Sequence, residues 1–251
     1  MPRVKELLVI GAGRGLGYAL AEAALSPAGA ASQHPEGWDF AAASNGVRVT
    51  AIAHERSPLL DRLAAQHAGR LNAQYADVRS DSELERLDIP SDTLFDVVIY
   101  NAAVHLEHDA RDIEEASSRD VLETLNVNAV GAVRAAKRFR RHLAPGGLLV
   151  LVSSEAGSIA DAWRSSEYGY CMSKAALNML ARLLGIREKK LDSKIQVIAL
   201  HPGWMRTRMG GRAADISAEE AARDILATLE ARLRGAAGPP FVDRLGKALA
   251  W

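Results

Sequence analysis

Short apolar runs alternate along this chain with longer stretches in which apolar residues return every three or four positions. The runs Glu6–Ile10, Val47–Ala53, Asn72–Ala76, Val97–Tyr100, Leu148–Ser153 and Gln196–Leu200 have the length of buried strands. Between them Gly15–Ala24, Leu59–His67, Ser80–Leu87, Arg119–Leu143 and Tyr168–Lys190 read as helices. A last helix is predicted over Ser217–Leu233, where Ser217 and Glu220 have the spacing of a capping box. Strands and helices taken by turns predict an α/β fold. The economical arrangement is a doubly wound parallel sheet of six to seven strands with helices on both faces, because each crossover returns right-handed over the sheet.

Two stretches break the rhythm. Residues Ser26–Asn45 carry Pro27, Pro35, Gly29, Gly37 and many alanines and serines, and are expected to form a surface insertion between the first helix and the second strand. Residues Trp204–Asp215 are expected to be a mobile lid segment ahead of the last helix. No linker divides the chain and no internal repeat is evident, so a single domain over residues 1–251 is expected.

Composition narrows the function classes. With 251 residues, 48% of them apolar and 25% charged, the chain can bury a sizeable core. Its 31 basic residues balance 31 acidic ones, so no net field draws nucleic acid or an anionic bilayer to it. Cys171 is the one cysteine, which excludes an intrachain disulfide and a multi-cysteine metal site and fits a reducing compartment. The apolar run Leu7–Ile10 is too short for a signal peptide or a spanning helix, so a soluble cytoplasmic protein is expected.

Two local patterns carry chemistry. Gly11-Ala12-Gly13-Arg14-Gly15-Leu16-Gly17 sits between the first strand and the first helix. Glycines there let the backbone turn tightly and approach a pyrophosphate, which free amides and the helix dipole stabilise; a ligand-free tight turn is the plainer alternative. Tyr170 and Lys174 are one turn apart on a predicted helix, so that the ammonium is expected to stabilise the phenolate and lower a pKa of ~10. Taken alone, this is also the spacing of an ordinary surface pair.

Together, Gly11-x-x-x-Gly15-x-Gly17, Asp77-Val78, Asn101-Ala102-Ala103, Asn128, Ser153-Ser154, Tyr170-x-x-x-Lys174 and Pro202-Gly203 give a chain that resembles the short-chain dehydrogenase/reductase family over nearly its full length. His201–Gly211 and the ending Phe241–Trp251 resemble its C-factor and sniffer-type carbonyl reductase subgroup. The resemblance implies a Rossmann fold and hydride transfer between a nicotinamide cofactor and a carbonyl or alcohol. It implies Tyr170 as general acid/base, Lys174 as its modulator and a ribose ligand, Ser154 as the donor to the substrate oxygen, and Asn128 as the anchor of a water that reprotonates Tyr170. Ser158 competes with Ser154. The cofactor would meet Gly11, Gly13, Arg14, Gly15, Leu16 and Gly17, then Asp77 and Val78 at the adenine, Asn101, Ala102 and Ala103 along the cleft, and Pro202, Gly203 and Thr207 at the nicotinamide.

NADP(H) is favoured over NAD(H), because the acidic residue expected at the end of the second strand is replaced by Ala53, Arg14 matches a basic position that the resembled family associates with NADP, and Arg56 could reach the added phosphate; His54, a cofactor contact standing where related NADP enzymes often have arginine, and Glu55 speak for NAD(H). The expected function is an NADP(H)-dependent oxidoreductase of a small organic carbonyl or alcohol, acting as a homodimer or homotetramer without nucleic acid or membrane partners. A catalytically silent cofactor-binding regulator is the alternative. A nucleotide-sugar epimerase of the related extended fold would need a C-terminal substrate domain for which this length leaves no room.

Overall fold

Alternation of side chains on the central strand fixes both faces of the molecule. In a computed structural model describing residues 4–26, 46–106, 112–236 and 238–251, β1 (Glu6–Ile10) sends Leu7 and Val9 into one core and Leu8 and Ile10 into the other. All four are fully buried, as a strand covered on both faces requires. Around β1 the sheet is ordered β3-β2-β1-β4-β5-β6-β9, wholly parallel, with β2 at Arg48–Ala53, β3 at Leu71–Tyr75, β4 at Phe95–Tyr100, β5 at Leu143–Val152, β6 at Gln196–His201 and β9 at Phe241–Asp243. Helices α1 (Gly15–Leu25), α2 (Pro58–Gln66) and α7 (Ala218–Leu233) cover one face. Helices α3 (Asp81–Glu85), α4 (Ser118–Leu125), α5 (Gly131–Phe139) and α6 (Tyr168–Lys190) lie on the other side. The result is the expected doubly wound sheet, and its strand order reverses between β1 and β4, where a crevice opens at the strands' carboxyl ends.

Three features differ from the sequence expectation. The helix expected over Arg119–Leu143 is interrupted by a π-turn at Asn126–Val130 and gives way at Leu143 to β5. Its cause is tertiary: the Tyr100 hydroxyl donates to the Val127 carbonyl at 2.5 Å, and Gly131 leaves the room, since a Cβ there would collide with that hydroxyl. The seventh strand, β9, comes from a segment with no strand signature, held by a Phe241 that is fully buried and stacks on Trp251 at 5.2 Å. Within Trp204–Asp215, β7 (Met205–Arg206) pairs with β8 (Ile216–Ser217), and Trp204 Nε1 donates to the Gly210 carbonyl at 2.8 Å. The expected lid segment is thus internally bonded. Of the expected insertion, residues 27–45 lie outside the described residues. No described helix is long and apolar enough to cross a membrane.

Candidate active site

The glycine turn is shaped by backbone contacts at the switch point. Gly11 has φ +90, and a Cβ on it would lie 2.5 Å from the Ala102 nitrogen. On Gly17 a Cβ would overlap the Gly11 carbonyl oxygen, which also accepts from Asn101 Nδ2 at 2.9 Å. Gly13 passes Ala53, with 3.2 Å between a built Cβ and that methyl, and its carbonyl accepts from Ser57 Oγ at 2.7 Å. Asn101-Ala102-Ala103 therefore lies against the turn. Helices α2, α3, α4 and α7 begin with a serine whose hydroxyl accepts from the first turn, namely Ser57, Ser80, Ser117 and Ser217. At α1 the N-cap is Arg14, exposed and without a side-chain cap, and no acidic residue stands in the first turn of Gly15, Leu16 and Gly17. A close-approach cradle ending in uncapped amides has the donor set a pyrophosphate requires.

Around this cradle lie the other expected cofactor residues. Ala53 ends β2 and is buried, followed by exposed His54, Glu55 and Arg56; the Arg56 guanidinium stands 5.9 Å over the Tyr75 ring. His54 Nε2 is 3.4 Å from Asp77 Oδ2. The Asp77 carboxylate also takes Arg79 Nε at 2.8 Å, and that guanidinium is the main cause of its lowered pKa. Val78 is buried beside Gly131. Across the cleft, Pro202 is buried, Gly203 has φ +88 against Ile216, and the Thr207 methyl stands 3.7 Å from where a Gly15 Cβ would be.

The reacting groups come from β5 and α6. Ser154, just beyond β5, shares a hydrogen bond with the Tyr170 hydroxyl and accepts from the Ala156 nitrogen at 3.1 Å. Ser158 instead accepts from the Asp161 nitrogen at 3.1 Å, so the geometry joins Ser154 to the phenol. Lys174 is buried, donates from Nζ to the Val152 carbonyl at 2.9 Å, and places its ammonium 5.6 Å from the Tyr170 ring centre. Gly157 allows this approach, since a Cβ there would lie 2.6 Å from the Lys174 carbonyl carbon.

One expectation is corrected here. Lys174 is expected to lower the Tyr170 pKa; burial instead pushes the phenol up to about 12, with the Ser154 hydrogen bond opposing. Lys174 is itself pushed down to about 8 by burial. The two groups are close, and burial is the largest cause of both shifts. The Asn128 side-chain amide is engaged by protein: Oδ1 accepts from the Val104 nitrogen at 2.8 Å, and Nδ2 donates to the Val104 carbonyl and Ser173 Oγ, both at 2.9 Å. It clamps the segment after β4 to α6.

Five neighbours had no role assigned from the sequence. The His105 ring lies 4.8 Å from that of Tyr170 and 3.8 Å from Glu167 Oε1. Arg164 bonds Glu155 and Glu167, and His201 Nδ1 accepts from the Glu155 nitrogen at 3.3 Å. Only the Arg164–Glu167 spacing left a trace in the sequence. Among the described residues no cluster of side chains could hold a metal ion.

Comparison with known proteins agrees with this geometry. The family model described as enoyl-(acyl carrier protein) reductase matches residues 29–234. C-signal of Myxococcus xanthus is 33% identical over 159 residues, covering 62% of this chain and 92% of that protein. A carbonyl reductase from Pseudomonas aeruginosa PAO1 in complex with NADP superposes with a TM-score of 0.78 at 30% identity, over 99% of this chain and 100% of that one. An NADPH-bound carbonyl reductase from chicken fatty liver gives a TM-score of 0.80 at 25% identity, with 100% of both chains covered.

Proposed function

The chain belongs to the short-chain dehydrogenase/reductase family, and we propose that it is an NADP(H)-dependent reductase of small organic aldehydes or ketones, with Tyr170 as the proton donor. The observation that carries this reading is the hydrogen bond between Ser154 and a Tyr170 phenol backed by the buried Lys174 ammonium, on the same sheet edge as the glycine cradle. A phenol held near 12 is protonated at neutral pH, the form needed to give a proton to a carbonyl oxygen. Ser154 orients that oxygen by hydrogen bonding, and Lys174 supplies positive charge as the phenolate forms. The bound nicotinamide would supply the hydride. Ala53, in place of a carboxylate, and the exposed Arg14 and Arg56 support the phosphorylated cofactor.

The test is oxidation of NADPH, followed by its absorbance, with a panel of aldehydes and ketones. Turnover with NADPH over NADH is expected. Tyr170→Phe should lower kcat by ~10²–10⁴-fold while leaving NADPH affinity within a few-fold. Tight NADPH binding with no turnover of any carbonyl would favour the silent regulator instead.

The same reading includes a homo-oligomer. Met172, Met179, Leu183 and Ile186 form an exposed apolar face on α6, and Leu122 of α4 and Val130 at the end of the π-turn are exposed on elements packed against that helix. An apolar face of this extent is what association between copies would cover.

A further inference from the structure

We infer that Arg164 is a positioning residue: a guanidinium clip that holds the chain between Ser154 and Tyr170 in the shape that brings their hydroxyls together. The inference rests on the reductase reading for its kinetic form and on geometry for the rest. Arg164 Nη2 donates to Glu155 Oε1 at 3.0 Å, and Glu155 is the neighbour of Ser154. Its Nε lies 3.2 Å from Glu167 Oε2, and Glu167 is the N-cap of α6, three residues before Tyr170. One side chain thus joins the two ends of an eleven-residue excursion, and its flat face lies 4.5 Å over the Trp163 ring.

What the clip holds is a strained start to the helix. Glu167 has φ 60 and ψ 38, left-handed values that disfavour a residue with a Cβ; Asp192 is the one other non-glycine with positive φ among the described residues. Glu167 has no side-chain capping bond to offset this, because its carboxylate is turned to Arg164 and His105. That kink sets where α6 begins, hence where Tyr170 points. The excursion is pinned elsewhere by Ala160 N donating to the Trp251 carbonyl at 2.9 Å and by Asn178 Nδ2 donating to the Gly157 carbonyl at 3.1 Å. Neither bond reaches Glu167. Its carbonyl accepts from the Cys171 nitrogen at 2.9 Å, and Tyr168 Oη donates to the Ser165 carbonyl at 2.7 Å, bonds within the start of α6; the clip is what ties that start back to Glu155.

A double-mutant cycle with Glu167→Gly tests this, since glycine takes left-handed values without cost and makes the clip unnecessary. Wild-type turnover with NADPH is measured first. Arg164→Met should lower kcat tenfold or more, with NADPH affinity within twofold, and Arg164→Lys should fall between. Glu167→Gly should keep at least half of kcat, and the double variant should stay within threefold of Glu167→Gly. Wild-type kcat in Arg164→Met, or losses that multiply in the double variant, would overturn the inference. Absence of wild-type turnover would remove the reductase reading alone. Amide hydrogen exchange then decides: Arg164→Met should accelerate exchange over residues 155–171 at least tenfold, and an unchanged rate there overturns the clip.

Discussion

At the scale of single residues the site is governed by desolvation. Lys174 is buried with its one described hydrogen bond to a backbone carbonyl, and its pKa is held at about 8 against an ordinary 10.5. Between those values the unfolded chain binds a proton that the folded one lacks, so stability rises with pH across this window and the full penalty applies below it. The Tyr170 phenol, raised to about 12 from 10.0, acts with the opposite sign only above pH 10. Urea unfolding of the cofactor-free protein at pH 7.5 and 9.5 should therefore show a gain of about 2 kcal/mol that Lys174→Met lacks. Equal pH slopes in the two proteins would show that Lys174 is solvated.

At the scale of elements, two junctions matter more than the helices and strands they join. The β1–α1 turn works because backbone from Asn101 and Ala102 occupies the space of a side chain on Gly11, and the Gly11 carbonyl that of one on Gly17. Gly17→Ala would drive a methyl into the Gly11 carbonyl oxygen, so it should weaken NADPH binding at least tenfold and lower the melting temperature by several degrees. Retained affinity, measured by quenching of tryptophan fluorescence, would show that the turn yields without harm. The second junction is the π-turn, where Tyr100 takes the Val127 carbonyl while Asn128 reaches both polar groups of Val104. The Asn128 side chain thereby fixes the segment after β4 against Ser173 of α6.

For the whole molecule, the described residues of a sheet buried on both faces leave an apolar surface uncovered along α6. Met179, Leu183 and Ile186 are 58%, 57% and 40% exposed, at helical spacing on one side. Light scattering of the wild type should give a multiple of 26.9 kDa, and Met179→Glu with Leu183→Glu should return the mass to 26.9 kDa with the helical circular dichroism intact. A wild type that already scatters as a single chain would end this prediction. Both substitutions lie on the side of α6 away from Ser173 and Lys174, which are buried.

The sequence by itself determined the alternation of strands and helices, the doubly wound class, the glycine turn, and the Tyr170–Lys174 face, because each depends on residues within a few positions or on a repeated apolar pattern. Tertiary structure decided the rest. The π-turn needed Tyr100 to meet Val127, β9 needed Phe241 buried beside Trp251, and the choice of Ser154 over Ser158 needed a loop whose shape no periodicity records. The direction of the Tyr170 pKa was beyond reach for the same reason. Charge at one-turn spacing is written in the chain, but the water removed around it is set by every segment packed above the site.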